Sequence, residues 1–507
     1  MQDYQASNNK RIAKNTIMLY FRMIFIMAVN LYTSRVVLEV LGAEDYGTYN
    51  VVGGVVTMLS FITASMSAAT SRFITFELGK EGGNAERMFR CSTTIFYIFA
   101  IVGFIFAETV GLWFVQTQLK IPEGRETSAF WVYQFSIVSF VISLLSVTYN
   151  ALIIAKEKMG AFAYISIYDG LARLGVLYLL YAIPFDNLIV YAGLLMLVQL
   201  SIRVIYTIYC KRSFNEFNGK WLWDSNISRQ IFSYASWSVS GYLAIVGYTQ
   251  GINILLNIYF GPVVNAARAI ATQVQTALAQ FYTNFQTAIR PQVIKNYAQG
   301  NMEYMHSLVL RTGRISCMLS ILVTIPVIAF TEYILNLWIV SPPEHTVTFI
   351  RLTLIAGISN SLSQHTMMAI HAVGNIKKFQ VVEGICLLTI LPISWVLLKF
   401  FNVSSEVVVL VYAVVELSTL FVRVYLTYPR IGLKIKDFYT KVLASSIVTI
   451  VLCGIPAFIM YKYTYPSDVF EFLGLSCLLV VIECIVIYIF GLESAERKFI
   501  LSKINIL

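Results

Sequence analysis

Long apolar stretches alternate with short polar breaks along the whole chain. A membrane-spanning helix needs about 20 mostly apolar residues, and glycine, proline and charged residues separate stretches of that length. The pattern predicts an all-α, polytopic membrane protein with about fourteen transmembrane helices. The predicted helices lie at 14–39, 46–73, 88–115, 129–154, 160–182, 187–210, 229–259, 262–289, 305–336, 346–372, 377–399, 405–428, 438–461 and 467–490.

The order of these helices predicts two six-helix lobes followed by an extra pair. The N-terminal lobe covers 1–215 (helices 1–6), the C-terminal lobe covers 216–430 (helices 7–12), and 431–507 holds helices 13 and 14 with a cytoplasmic tail. An internal repeat supports the division, because Gly42 precedes the second helix, Gly261 precedes the eighth, and both helices end at an arginine. Two lobes of this kind are a common transporter plan, with a substrate site near the bilayer midplane.

Composition excludes several classes of protein. The 507 residues are 58% hydrophobic and only 13% charged, with a mean hydropathy of +0.71, whereas an ordinary soluble chain is about 25% charged. A soluble enzyme, a nucleic-acid-binding module and a disordered scaffold are therefore excluded. The net charge of +10 comes from Lys and Arg concentrated in alternate loops, as in cytoplasmic loops of membrane proteins. We expect cytoplasmic termini and no nucleic-acid partner.

Motifs for chemistry are missing from the sequence. It has no DxD, no Gly-rich phosphate loop of Walker type and no CxxC among its seven cysteines. The predicted loops are also too short for the extramembrane segment that a membrane glycosyltransferase normally needs. We therefore expect a protein that binds and moves a substrate, is not an enzyme, and carries no cofactor or metal. Its energy would come from a Na⁺ or H⁺ gradient or from the substrate gradient.

Polar residues mark the first, second, seventh and eighth predicted helices. They recur at steps of three and four, so each set shares one helix face. Such faces are unfavourable in hydrocarbon, so they either line a cavity or pack on other helices through small residues. Gln and Arg are too large for close packing, which favours a cavity. The candidate substrate-binding residues are Arg22, Arg72, Gln250, Asn257, Arg268, Gln275, Tyr282 and Arg290.

The four arginines of this set allow two interpretations. Each lies near a predicted membrane surface, and a long side chain can extend to the headgroups. Alternatively, the arginines form a cationic lumen for an anionic substrate group, since the planar guanidinium suits phosphate oxygens. Within these four helices the only acidic residue is Glu39, near the outer end of the first. A cavity lined by them would therefore be net positive.

Four other charges fall inside predicted spans. Asp169 and Arg173 are spaced i, i+4 in the fifth helix, which predicts a neutralising pair. Glu383 and Glu416 have no partner nearby in the sequence, and a carboxylate in the membrane must be protonated, paired or bound to a cation. Both are candidates for coupling to Na⁺ or H⁺. The alternative is pairing with an arginine, either Arg351 or Arg423.

The chain resembles the MOP (multidrug/oligosaccharidyl-lipid/polysaccharide) exporter superfamily, and within it the Wzx-type O-antigen flippases. The similar features are the Leu41-Gly42…Tyr46-Gly47…Tyr49 segment, the Arg-terminated second helix, the two lobes and the appended pair. The resemblance implies a MATE-like, alternating-access carrier in the bacterial inner membrane. It would move undecaprenyl-pyrophosphate-linked oligosaccharide towards the periplasm for lipopolysaccharide, capsule or exopolysaccharide assembly. Its expected partners are this lipid-linked oligosaccharide, membrane lipids and other glycan-assembly membrane proteins.

Two other functions compete with this one. A MATE-type multidrug/cation antiporter would share the fold, but its cationic substrates require carboxylates in the lumen, where this sequence places arginines. A membrane enzyme of the same glycan pathway is disfavoured by the short loops. A lipid II flippase is a variant of the first hypothesis, because one sequence does not reveal which sugars are recognised.

Overall fold

The computed structural model describes residues 2–57, 60–118, 121, 123–214, 217, 221–339, 342–494 and 496–497, so most of the predicted cytoplasmic tail lies outside it. Throughout this part of the chain, the regular structure is helical. The first nine α-helices are α1 (Gln2–Thr57), α2 (Ser60–Gly79), α3 (Ala85–Phe106), α4 (Leu112–Gln118), α5 (Glu126–Ala155), α6 (Met159–Leu180), α7 (Asn187–Ser213), α8 (Ser225–Phe260) and α9 (Pro262–Ala298). The others are α10 (Met302–Ala329), α11 (Thr331–Trp338), α12 (Thr346–Val373), α13 (Lys377–Leu388), α14 (Ile390–Phe401), α15 (Ser405–Thr427), α16 (Ile435–Asp437), α17 (Ala444–Tyr463) and α18 (Val469–Val486).

Within the described residues, eleven helical segments are long and apolar enough to cross a membrane. They match eleven of the predicted spans. The spans predicted at 46–73, 262–289 and 346–372 fall on the C-terminal part of α1 with α2, on α9 and on α12, and these stretches are not in that set. All three stretches are rich in polar residues, and α12 is largely buried among other helices of its unit. The all-helical membrane fold is confirmed, whereas the count of fourteen spans stays a prediction.

The predicted break between the first and second helices at Gly42 is wrong. Helix α1 continues without a break from Gln2 to Thr57, and α2 begins at Ser60, with 58–59 outside the described residues. The second predicted helix is therefore divided between α1 and α2. A glycine inside a helix costs only about 1 kcal/mol relative to alanine. The neighbouring alanine and glutamate are good helix formers and no proline follows, so the glycine does not end the helix.

A five-residue π-helical segment, Ala107–Gly111, joins α3 to α4. The Tyr133 hydroxyl of α5 donates a 2.7 Å hydrogen bond to the Ala107 carbonyl oxygen. Gly111 permits this approach, because a Cβ atom there would overlap the same hydroxyl. A side chain that inserts between helical turns is a usual cause of a π segment. The predicted span at 88–115 is therefore one continuous helix that contains a π-helical turn.

The chain divides into two compact units, Met1–Val239 and Ser240–Leu507. The division falls inside α8. In the first unit α5 is central and packs against α1, α2, α3 and α7. In the second, α12 is central and packs against α9, α10 and α15, while α17 and α18 pack on α10. The predicted boundaries at 1–215, 216–430 and 431–507 stay predictions.

One arginine joins three elements at one end of the first unit. Arg125 precedes α5, donates to Asp186 at 2.6 Å, and also pairs with Asp45 of α1. Asp186 caps the N-terminus of α7 by accepting from the Leu188 N–H at 2.9 Å. Burial raises the pKa of Asp186, but hydrogen bonds from Ser128 and the α7 backbone, together with Arg125, outweigh it and hold the pKa below its ordinary value.

The crossing of α10 and α12 leaves no room for a side chain at Gly313. A Cβ atom there would lie 2.7 Å from His365 Nδ1, and His365 is held by Tyr428 at 2.9 Å and by stacking on Phe438. We expect Gly313→Ala to destabilise the protein by about 1–3 kcal/mol through overpacking. The measurement is the melting temperature of the purified protein in detergent.

The matched control for this prediction is Gly454→Ala in α17, where a Cβ atom would meet nothing within 4 Å. That change should leave the melting temperature unchanged or raise it slightly, because alanine favours the helix. Equal melting temperatures for the two variants would contradict the predicted clash.

Candidate functional site

A polar cavity of about 690 Å³ lies within the first unit. Its wall comes from α1, α2, α5, α6 and α7. The volume is in the range of about 300–1,000 Å³ that small-molecule sites occupy. This cavity is the principal candidate site of the first unit.

The α5 wall of this cavity is a row of small polar side chains. Ser136, Ser139, Ser143, Ser146 and Asn150 follow one another at steps of three and four, so they share one helix face. Among the described residues, neither Ser139 nor Ser143 has a hydrogen-bond partner, so both hydroxyls remain available to a ligand. Sequence analysis missed this face. The periodicity was a visible signal, but the high hydropathy of the span hid it.

One ion pair lies in the same cavity wall. Arg173 Nε donates to Asp169 Oδ1 at 2.7 Å, which confirms the predicted i, i+4 pair of the fifth helix. Gln199 and Tyr206 line the opposite side, and the Tyr206 hydroxyl accepts from Asn150 at 2.9 Å. The described wall therefore carries hydroxyl and amide groups and no net formal charge.

Arg22 and Arg72 are in the first unit but outside the described wall of this cavity. The Arg22 guanidinium lies over the Phe162 ring, 4.5 Å from its centroid. Arg72 is buried and lies over the rings of Phe73 and Phe76 at 4.7 and 4.8 Å. Both arginines thus make cation–π contacts, which stabilise a desolvated guanidinium.

Arg268 is a buried cation of the second unit. Only 3% of it is exposed. Its Nε donates to Asn253 Oδ1 at 3.0 Å, and its Nη1 has no hydrogen-bond partner. Nowhere in the described chain does a carboxylate lie within ion-pair distance of it. A guanidinium buried in this way carries an uncompensated charge and an unused donor.

Polar partners extend from Arg268 along α8, α9 and α15. Asn253 also donates to Gln250 at 3.3 Å. On α9, Gln275 donates to the Tyr412 hydroxyl at 3.3 Å, and the Tyr412 ring stacks on Tyr248 with centroids 6.0 Å apart. We call Arg268, Asn253, Gln275, Tyr248 and Tyr412 the Arg268 cluster.

The remaining candidate residues lie in different surroundings. Tyr282 is buried on α9, two turns beyond Gln275. Asn257 and Arg290 have exposed side chains. The structure thus groups Gln250, Arg268 and Gln275, places Tyr282 near Tyr412 and Glu416, and leaves the other members of the predicted set apart from them.

Glu383 and Glu416 both bind Arg423, one of the two arginines that sequence analysis considered. Arg423 Nε donates to Glu383 at 2.6 Å, and its Nη1 donates to Glu416 at 2.8 Å. All three are buried, with 4%, 1% and 4% of Glu383, Glu416 and Arg423 exposed. Asn360 also donates to Glu416 at 2.8 Å. The other candidate arginine, Arg351, contacts Glu332 instead.

This acidic triad, Glu383, Glu416 and Arg423, has one more negative than positive group. Two ionised carboxylates and one guanidinium leave a net charge of −1 in a region without access to water. Such an arrangement is stable only if a proton or another positive charge balances it. The proposed coupling to Na⁺ or H⁺ stays a prediction, while the pairing explains how the carboxylates are accommodated.

Comparison with known sequences finds no match to this chain, whereas comparison with solved structures does. No family model and no curated protein matches the sequence. Solved structures of the same fold do exist, at sequence identities that establish the fold alone.

These structures are MATE family transporters of the MOP superfamily. An outward-facing multidrug resistance MATE transporter aligns over 84% of this chain and 96% of its own, with a TM-score of 0.73 and 15% identity. A MATE transporter in complex with MaD3S gives a TM-score of 0.73 at 14% identity, over 84% of this chain and 96% of its own. A third structure is a MOP superfamily transporter from Pyrococcus furiosus Vc1 (DSM3638), for which the reversed polarity of the binding pocket suggests a different function. It aligns over 83% of this chain and 96% of its own, with a TM-score of 0.70 and 14% identity.

Proposed function

We propose that the protein is a membrane transporter that moves undecaprenyl-pyrophosphate-linked oligosaccharide across the bacterial inner membrane by alternating access. The product would serve lipopolysaccharide, capsule or exopolysaccharide assembly. The MOP-type fold supports transport. The observation that carries the substrate is Arg268, a buried guanidinium with a free nitrogen and no carboxylate in reach within the described chain.

A buried charge without a partner is destabilising by several kcal/mol. That arrangement is reasonable in a transporter if the partner is supplied by the substrate for part of the cycle. Pyrophosphate oxygens match the planar donors of a guanidinium and form short, charge-assisted hydrogen bonds. The lipid tail can remain in the bilayer while the headgroup binds.

The cavity of the first unit, taken by itself, has a lining that suits a glycan. Sugars present many hydroxyls and no charge, and the described cavity wall presents serine, glutamine and asparagine groups with a neutralised ion pair. Phe140 and Tyr49 add aromatic surface to the wall. A site with these groups suits a neutral, polyhydroxylated ligand.

The alternative is a MATE-type multidrug or cation antiporter. The solved structures of the same fold include multidrug transporters, and Asp169 gives the cavity a carboxylate that could bind a cationic drug. That carboxylate already pairs with Arg173 at 2.7 Å, however. A cationic ligand would have to break this pair, so we place the antiporter second.

Other properties follow from the proposal. The chain would be a multi-pass protein of the inner membrane with cytoplasmic termini. It would need no cofactor and would use an ion gradient, with Glu383 and Glu416 as the coupling groups. Membrane lipids and other glycan-assembly membrane proteins would be its partners.

The test is expression of the intact chain in two bacterial strains. In a strain without its O-antigen flippase, we expect restored display of the glycan at the cell surface. In a strain without its drug exporters, we expect no increase in resistance to tetraphenylphosphonium or ethidium. Restored drug resistance without glycan display would reject the flippase in favour of the antiporter. Failure in both strains, at normal protein abundance, would reject both functions.

A further inference from the structure

The acidic triad and the Arg268 cluster share helix α15: the triad lies on α13 and α15, and the cluster lies on α8, α9 and α15. Tyr412 and Glu416 are one helical turn apart on α15, and Arg423 follows two turns later. Gln275 of α9 holds the Tyr412 hydroxyl at 3.3 Å. Glu416 in turn binds Asn360 of α12 at 2.8 Å. Tyr248 and Tyr412 lie close enough to interact electrostatically with Arg268 on one side and with Glu416 on the other, so a row of polar side chains lies between the two charged groups.

The buried charges of this row sum to zero. Arg268 and Arg423 contribute +2, and ionised Glu383 and Glu416 contribute −2. Three other charged residues of the second unit are buried in the described part of the chain. Arg314 and Glu496 pair at 2.8 Å, and Glu483 lies apart on α18. The surplus negative charge of the triad is therefore the nearest electrostatic complement of Arg268 in the row.

The balance of buried charges changes when an anion binds to the Arg268 guanidinium. The bound anion cancels or reverses the positive charge there and leaves the triad with a surplus negative charge in a buried region. Coulomb interactions between buried groups are several times stronger than in water, so the second negative charge becomes unfavourable. The least costly response is protonation of one of the two carboxylates.

We infer that the triad of Glu383, Glu416 and Arg423 takes up one proton when an anionic substrate group binds Arg268, so that anion and proton bind together. The inference rests on the proposed function, since it requires the anion site at Arg268. The other titratable groups that face this row are the phenols of Tyr248, Tyr282 and Tyr412 and the thiol of Cys386, which stay neutral at physiological pH. A proton suits the triad better than Na⁺, because the Arg423 guanidinium already occupies the cation position between the two carboxylates.

The experiment uses the purified full-length protein in lipid nanodiscs, with inorganic pyrophosphate as the probe. Isothermal titration calorimetry in two buffers of different ionisation enthalpy at the same pH gives the number of protons taken up per pyrophosphate bound. We expect the wild-type protein to take up about one proton more than Glu416→Gln. Comparing the two proteins removes the contribution of the protons of pyrophosphate itself.

The sign of the affinity change separates coupling from a structural role. Glutamine at position 416 resembles the protonated carboxyl, so Glu416→Gln should bind pyrophosphate about tenfold more tightly at pH 7.5. Its binding should also depend less on pH. Glu383→Gln serves as a second variant with the same expected result. A residue that only supports the fold would weaken binding when it is replaced.

The matched control is Glu406→Gln on the same helix. Glu406 pairs with His345 and lies outside the triad, so its replacement should leave proton uptake at the wild-type value. Equal proton uptake by the wild type and both triad variants would overturn the inference while leaving the anion site intact. Absence of pyrophosphate binding to the wild type would overturn the anion site at Arg268, and the inference with it.

Discussion

Replacement of Arg423 by glutamine should destabilise the second unit more than any other single change considered for this protein. The guanidinium holds two buried carboxylates at 2.6 and 2.8 Å and also donates to Ser363 at 2.6 Å. Without it, Glu383 and Glu416 face each other in a region sealed from water. Removal of one member of a buried ion pair typically costs about 3–5 kcal/mol. The measurement is the melting temperature in detergent together with protein abundance in the membrane.

Two comparisons make this prediction specific. Arg351→Gln removes an arginine whose partner Glu332 is half-exposed, so its effect should stay below about 1 kcal/mol. The double variant Arg423→Gln with Glu416→Gln should recover part of the lost stability, because it removes one of the two repelling carboxylates. If the Arg423→Gln and Arg351→Gln proteins have the same melting temperature, the triad does not stabilise the fold as its geometry requires.

Replacement of Arg268 should abolish transport while leaving the fold intact. One charge-assisted hydrogen bond to phosphate contributes about 1.5–3 kcal/mol, so Arg268→Ala should weaken binding of the lipid-linked substrate by about 10–150-fold. Lysine keeps the charge but loses the planar donors, so Arg268→Lys should lie between arginine and alanine. The assay is glycan display in the flippase-deficient strain, normalised to protein abundance.

The other three candidate arginines serve as internal comparisons. Arg290 is exposed, so Arg290→Ala should change display little. Arg22 and Arg72 lie over aromatic rings, so their replacement should lower abundance at least as much as display. Normal display by Arg268→Ala at normal abundance would refute the cationic site. Glycan display that is highest in the wild type, lower in Arg268→Lys and lowest in Arg268→Ala would support it.

Local pattern alone was sufficient for the fold class and for most helix positions. An apolar stretch of about 20 residues has few alternatives to a membrane helix, and eleven such helices are found where the pattern predicted them. The pair of Asp169 and Arg173 was likewise predictable, because residues four apart on a helix must be neighbours. Both inferences depend on interactions within a few turns of one helix.

The tertiary structure decided the properties that depend on distant residues. Sequence analysis left the partner of Glu383 open, and the fold supplies Arg423 from 40 positions away. It treated four arginines alike, and the fold stacks two on aromatic rings, exposes one, and buries Arg268 with no carboxylate within ion-pair distance in the described chain. Whether a buried charge is balanced depends on every group that the fold brings near it, and long-range Coulomb interactions leave no periodicity in the sequence.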